Sequence, residues 1–142
     1  MSKSVVVGKY DKAAKVSQIA EILQQSENKI HLKGLVGSSL SFLANSLFQK
    51  SELPFLMIFE DKEAAAYYLN DLEQLIGDKE VLFYPGSFRI PYQIEDVDNA
   101  NVLLRAEVLN RINSRKKPAI IVTYPESLFE KVVTKKELEK NT

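Results

Sequence analysis

The sequence contains no cysteine and a single histidine, His31, among its 142 residues. It therefore cannot form a disulfide, a thiolate metal site or a cluster of histidine ligands. Lysine plus arginine and aspartate plus glutamate number 19 each, so the formal net charge is zero. This balance disfavours a domain that grips DNA or RNA through one strongly basic face, although a local basic patch is compatible with it.

Long apolar runs are also missing from the chain. No segment approaches the roughly 20 residues that a membrane-spanning helix requires, and the N-terminus lacks the apolar core of a secretory signal. These absences predict a cytoplasmic protein that has no contact with membranes. Hydrophobic residues nevertheless make up 45% of the chain, and a chain of this length can bury a core of its own. We therefore expect a folded domain.

Short apolar runs alternate with helical patterns along the chain. Strands are predicted at residues 30–32, 55–59, 81–84 and 119–123, and helices at residues 11–25, 40–49, 61–76 and 99–113, with a short last helix from Tyr124. The runs that follow Pro54 and Pro118 are continuously apolar, which predicts strands buried on both faces. The alternation predicts an α/β fold, a three-layer parallel sheet with helices on both faces.

Two helices carry more detailed predictions. Asp11 is suited to cap the first helix, and Asp61 the helix at 61–76; as the alternative, Glu60 and Asp61 would hold a magnesium ion at the end of their strand. Apolar spacing predicts the inner face of the helix at 99–113 as Val102, Leu103, Ala106, Leu109 and Ile112. Four cations lie near its end, Arg111, Arg115, Lys116 and Lys117. They are interpreted as a complement to the helix dipole, with a nucleic-acid patch as the alternative.

The stretch from Gly34 to Ser41 follows a predicted strand and opens a predicted helix, which is the context of a phosphate-binding loop. The template G-x-x-x-x-G-K-[ST] keeps its first glycine at Gly34 and its final hydroxyl at Ser41. Ser39 replaces the second glycine and Leu40 replaces the lysine, so the charge that would hold the outer phosphates is missing. The predicted site is a degenerate phosphate loop that does not bind nucleotide, made of Gly34, Gly37, Ser38, Ser39, Leu40 and Ser41. In the alternative interpretation, the glycines only make a tight turn.

A second candidate lies in the irregular segment after the third predicted strand. Phe88, Arg89 and Tyr92 combine aromatic rings with a cation in a loop at a strand end, which suits a partner-contact surface. The alternative is that the aromatic rings only anchor the loop to the core.

Three segments together resemble one family. They are the loop from Gly34 to Ser41, the segment PFLMIFEDK at 54–62 and the segment PAIIVTYPESLF at 118–129. In order, they are similar to the first domain of the excision-repair helicase UvrB. The degenerate loop, and the short segment between Tyr84 and Asn99 in place of a long DNA-inserting hairpin, match the N-terminal UvrB-like domain (domain 1a) of bacterial transcription-repair coupling factors (Mfd).

The resemblance implies a degenerate P-loop NTPase or helicase-type fold and a non-catalytic role. Such factors release stalled RNA polymerase with an ATP- and magnesium-dependent DNA translocase of helicase superfamily 2, and they recruit UvrA. Both partners would be contacted through other domains of the parent protein, so no cofactor and no direct DNA contact are implied for this chain. The implied organisation is a helical segment at 1–28, the UvrB-like domain at 29–134 and the start of a linker at 135–142.

Two other functions stay open. An active small P-loop NTPase or nucleotide kinase would need a substitute for the missing lysine, for which Lys33 and Lys50 are the nearest candidates, and Glu60 or Asp61 as the magnesium ligand. An unrelated α/β interaction module, such as a receiver-like domain, is the third interpretation. A receiver needs an acidic cluster after its first strand, where this chain has glycines and serines.

Overall fold

The computed structural model describes residues 2–87, 98–115 and 117–132. Helices and strands alternate through most of this part of the chain. In order they are α1 (Lys3–Lys12), α2 (Ala14–Leu23), α3 (Ser39–Ser51), β1 (Phe55–Ile58), α4 (Lys62–Leu75), β2 (Val81–Tyr84), α5 (Asn99–Ser114), β3 (Ile120–Thr123) and α6 (Pro125–Leu128). The α/β class predicted from the sequence is confirmed.

The described strands form one parallel sheet of three strands in the order β1-β3-β2. The central strand is the last in sequence, and Ile120 lies in register with Phe55 on one side and with Val81 on the other. Each of the helices α4 and α5 therefore connects two strands that run in the same direction, as parallel pairing requires.

Helices cover both faces of this sheet. On one face, Ala44 of α3 and Leu72 of α4 pack into a core with Ile120 and Val122 of the central strand. On the other face, Val108 of α5 packs against a second group made of Leu82, Tyr84, Ala119 and Ile121. Ile120 and Val122 are fully buried, so the core is centred on β3.

The N-terminal region differs from its prediction. It forms two helices that meet at Ala13, whose extended backbone interrupts the predicted continuous helix. Asp11 is therefore not the predicted cap: it lies inside α1 and accepts a hydrogen bond of 2.5 Å from the Ser46 hydroxyl on α3. Val16 and Ala20 of α2 pack against Leu43 and Leu47 of α3, which holds both helices against the fold.

One strand prediction is wrong, and so is the burial predicted for another strand. Residues 30–32 form no strand, and Ile30 and Leu32 are 37% and 38% exposed. β1 is not buried on both faces, because Leu56 and Ile58 remain exposed while Phe55 and Met57 turn inward. The reason lies in the strand order: β1 is an edge strand, and α5 lies over β2 and β3 on that face.

The predicted inner face of α5 is also wrong in part. Leu103 and Ile112 are 71% and 55% exposed, Val102 is exposed as well, and the buried side chains of α5 are Arg105 and Val108. An arginine holds the inner position because its charged end finds backbone carbonyls and a carboxylate inside the fold, as described below. The start of α5 is conventional, since the Asp98 carboxylate accepts from the amides of Ala100 and Asn101.

Candidate functional site

The predicted phosphate loop connects α2 to α3 and is largely exposed. Gly34 and Gly37 have φ angles of +81° and +52°, in the left-handed region that glycine adopts without strain. The turn at Gly37 and Ser38 leads directly into α3. Because residues 30–32 lie outside the sheet, the loop does not have the strand that precedes a phosphate loop in the expected context.

The loop serines form hydrogen bonds within the protein. The Ser39 hydroxyl donates to the Val36 carbonyl and accepts from the Val36 amide, both at 2.7 Å. The Ser38 hydroxyl lies 3.1 Å from the Tyr67 hydroxyl on α4. These contacts close the turn onto itself and onto α4, so Ser39 occupies the position of the second template glycine with a structural role of its own.

Ser41, the candidate magnesium ligand, is fully buried and donates to the Asp71 carboxylate at 3.2 Å. Asp71 belongs to α4, so the contact ties the first turn of α3 to its neighbour. It also places a carboxylate beside the helix end that would have to receive phosphate. A negative group there opposes an anion and competes with it for the positive end of the helix dipole.

The candidate substitutes for the missing lysine are poorly placed. Leu40 itself is half-buried at the start of α3, and Lys50 lies in the last turn of the same helix. Eleven residues of helical rise separate Lys50 from Ser39, which is roughly 16 Å. Lys33 precedes the loop and is exposed, so neither lysine occupies the template position.

The acidic pair after β1 has a local explanation. The Asp61 carboxylate accepts from the Ala64 amide at 2.8 Å and caps α4, which confirms the capping prediction. Glu60 is exposed beside it. Within the described ranges 2–87, 98–115 and 117–132, no group of three or more acidic or histidine side chains is arranged to hold a metal ion.

Sequence reasoning missed a polar cluster at the carboxyl ends of β2 and β3. The Arg105 guanidinium donates to the carbonyls of Pro85 (2.8 Å) and Ser127 (3.0 Å), and it lies 3.6 Å from the Glu130 carboxylate. That carboxylate also accepts from the Ser87 amide and hydroxyl. The cluster joins α5, the end of β2 and the segment after α6. The spacing of apolar residues on α5 did not predict this cluster.

Aromatic and hydroxyl groups complete this cluster. The Arg105 guanidinium lies 4.2 Å from the centre of the Tyr84 ring, in cation–π geometry. The Tyr124 hydroxyl accepts from the Gly86 amide at 2.8 Å, and the buried Thr123 hydroxyl donates to the Tyr84 carbonyl. The ends of the two strands and the turn after β2 are thereby held in fixed positions, which indicates a structural role for the cluster.

Burial raises the pKa of Tyr84 above its ordinary value of 10.0; Arg105 opposes this effect and Glu130 adds to it. A pKa raised in the folded state means that stability is fully present below pH 10 and is lost as pH rises through the folded value. We expect Tyr84→Phe to lose less unfolding free energy than the unaltered protein between about pH 9 and pH 11, measured by urea denaturation. Tyr67→Phe, which removes the hydroxyl of an exposed tyrosine, is the matched control. Equal slopes for Tyr84→Phe and the unaltered protein would contradict the assignment.

The predicted contact residues Phe88, Arg89 and Tyr92 lie outside the described residues, so that hypothesis stays a prediction. No helix in the described part of the chain has the length and apolar character needed to cross a membrane.

The fold and the loop together define a small α/β protein built on a parallel sheet, in which a glycine turn leads into a buried helix. Assignment to the P-loop class stays a prediction, and so do the domain limits.

Comparison with known proteins adds one relation. The chain is 28% identical over 90 residues to the transcription-repair-coupling factor of Bacillus subtilis (strain 168). The matched part is 63% of this chain but spans only 8% of that protein. No family model matches the chain, and no solved structure matches it. The relation supports a link to such factors without specifying a domain of them.

Proposed function

We propose that this chain is a non-catalytic domain of a transcription-repair coupling factor and that it acts in DNA repair. The observation that carries the repair assignment is its partial identity with the B. subtilis factor. Its place would be the N-terminal UvrB-like module, which the three segments at 34–41, 54–62 and 118–129 resemble. It would support the neighbouring UvrA-recruiting domain, while release of RNA polymerase and ATP hydrolysis belong to other parts of the parent protein.

The loop geometry supports the non-catalytic part of the proposal. Ser41 is buried against Asp71, Ser39 closes its own turn, and Leu40 brings no charge. A phosphate group would meet a carboxylate in place of a lysine. The chain would therefore keep the helix and turn as structural elements and use them to position α3 on the sheet.

The experiment that tests the repair role is strand-specific repair after ultraviolet irradiation in the host of this protein. Deleting residues 29–134 from the natural gene should reduce repair of transcribed strands to the rate of untranscribed strands. Leu40→Ala should leave both rates unchanged, because the loop performs no chemistry. Preferential repair of transcribed strands that persists in the deletion strain would refute the repair role.

Nucleotide binding separates this proposal from an active NTPase. Titration of the purified protein with a fluorescent ATP analogue and magnesium should show no saturable binding at millimolar nucleotide and physiological salt. Asp71→Asn tests the contribution of the carboxylate. If this carboxylate alone repels phosphate, nucleotide binding should appear in the variant and not in the unaltered protein. Saturable, magnesium-dependent binding by the unaltered protein that is lost in Asp61→Ala would favour the small NTPase or kinase instead.

A further inference from the structure

A groove of 480 Å³ runs between the carboxyl-terminal half of α5 and the start of β1 and β3. Its floor is apolar and includes Pro54, Ile112, Ala119 and Ile121. None of the polar clusters described above lies in it. The groove is therefore separate from the loop at 34–41 and from the Arg105 cluster.

The apolar surface continues from the groove along the edge strand. Leu56 lies in register with Ile121 and shares its face of the sheet, and Ile58 follows it at the position opposite Thr123. Leu56, Ile58 and Ile112 are 57%, 52% and 55% exposed. α5 covers β2 and β3 on this face and leaves β1 open, so one strip of the sheet lacks the helix that covers its neighbours. Contiguous exposed apolar surface of this kind marks interaction sites.

The charges around the groove are mostly positive. Arg111, Arg115 and Lys117 contribute to its lining, against one acid, Glu52. Arg111 donates to the Lys79 carbonyl at 2.6 Å. On the side away from the groove, Arg111 and Lys117 also line a surface with three acids, Asp78, Glu80 and Glu107. Neither Arg115 nor Lys117 forms an ion pair with any residue in the ranges that the structure describes. An occupant with acidic residues would neutralise these cations while its apolar side covered the floor.

We propose that this groove binds an acidic amphipathic α-helix of a partner protein. An amphipathic helix fits such a groove through apolar residues at positions i, i+3, i+4 and i+7. The four residues of β1 extend roughly 13 Å, which matches between two and three turns of helix. Acidic side chains near one end of that helix would reach Arg111, Arg115 and Lys117. Nucleic acid fits less well, because its phosphates offer nothing to cover the apolar floor.

The test selects helices on the purified chain from a displayed library of 18-residue peptides. Leucine is fixed at the four apolar positions, and the flanking positions vary among glutamate, lysine and glutamine. Selected helices should be enriched in glutamate and should bind with micromolar Kd in fluorescence anisotropy. The double variant Leu56→Ser/Ile112→Ser should weaken binding about tenfold or more, since it removes one exposed apolar side chain from the groove and one from the adjoining edge strand. Leu103→Ser, on the same helix as Ile112 and more exposed to solvent but outside the groove, should leave Kd unchanged.

Charge reversal tests the electrostatic half of the proposal. Arg115→Glu/Lys117→Glu should weaken the selected acidic helices about tenfold and should improve binding of the same helices with lysine in place of glutamate. Every side chain that these variants replace is exposed, and half-buried Arg111 is left unchanged. Circular dichroism should therefore show unchanged folding. Selection without enrichment in glutamate, or equal binding by the Leu56→Ser/Ile112→Ser variant, would overturn the proposal. So would a dimer in sedimentation that the same variant dissociates, or binding that appears only after residues 133–142 are removed.

Discussion

Arg105→Met is expected to lower the free energy of unfolding by about 3–5 kcal/mol, the range for breaking a buried charge pair from one side. Arg105 is 6% exposed and connects Pro85, Ser127 and Glu130. Its removal leaves two carbonyls without a donor and a half-buried carboxylate without its cation. One Arg105 nitrogen, Nη2, is buried without a hydrogen-bond partner, which keeps the expected loss from being larger. Urea denaturation at neutral pH measures the effect.

Arg111→Met is the matched control on the same helix. Arg111 makes one exposed hydrogen bond to the Lys79 carbonyl, so its replacement should change the unfolding free energy by less than about 1 kcal/mol. The double variant Arg105→Met/Glu130→Gln should be more stable than the sum of the two single changes predicts, because a neutral amide then replaces the carboxylate that Arg105→Met leaves unpaired. If Arg105→Met and Arg111→Met destabilise equally, the cluster contributes no net stability and the role given to Arg105 here is wrong.

This cluster also shows why sequence alone misplaced α5. The apolar pattern of Val102, Leu103 and Ile112 predicted the buried face, because leucine and isoleucine usually point inward. An arginine becomes an inner residue only when carbonyls and a carboxylate from distant segments meet its guanidinium. Pro85, Ser127 and Glu130 lie 20 to 25 positions from Arg105 along the chain, and periodicity within one helix contains no information about them.

Local signals predicted other elements well. The segments at 55–58, 81–84 and 120–123 are strands, as their apolar runs predicted. Pro54 and Pro118 precede two of these runs and Pro85 follows the third, and proline interrupts regular structure. Asp61 caps α4 as expected, since capping depends on neighbouring residues alone.

Features that depend on pairing were beyond such signals. Residues 30–32 have the apolar character of a strand but no place in the described sheet, and strand formation requires a partner edge. β1 has the composition of a buried strand, and only the order β1-β3-β2 reveals that it lies at an edge. The contact between Ser41 and Asp71 likewise joins two helices, so the template comparison that identified Ser41 could not show that its hydroxyl is engaged.

The second large effect on the free energy of unfolding is expected in the core between α3, α4 and the central strand. Leu72 of α4 is fully buried among Ala44, Ile120 and Val122, so Leu72→Ala removes apolar contacts and leaves a cavity at the centre of the fold. We expect a loss of about 3–4 kcal/mol in unfolding free energy, measured by urea denaturation.

Leu103→Ala is the corresponding change at a leucine that is 71% exposed, and it should alter stability by less than about 0.5 kcal/mol. The pair also tests the orientation of α5, because the sequence pattern alone places Leu103 inside. A loss at Leu103 comparable with that at Leu72 would mean that α5 turns its leucine face to the sheet, and Arg105 would then point outward. A small effect at Leu103 together with a large one at Arg105 requires the observed orientation, in which Arg105 and not Leu103 connects the helix to the strand ends.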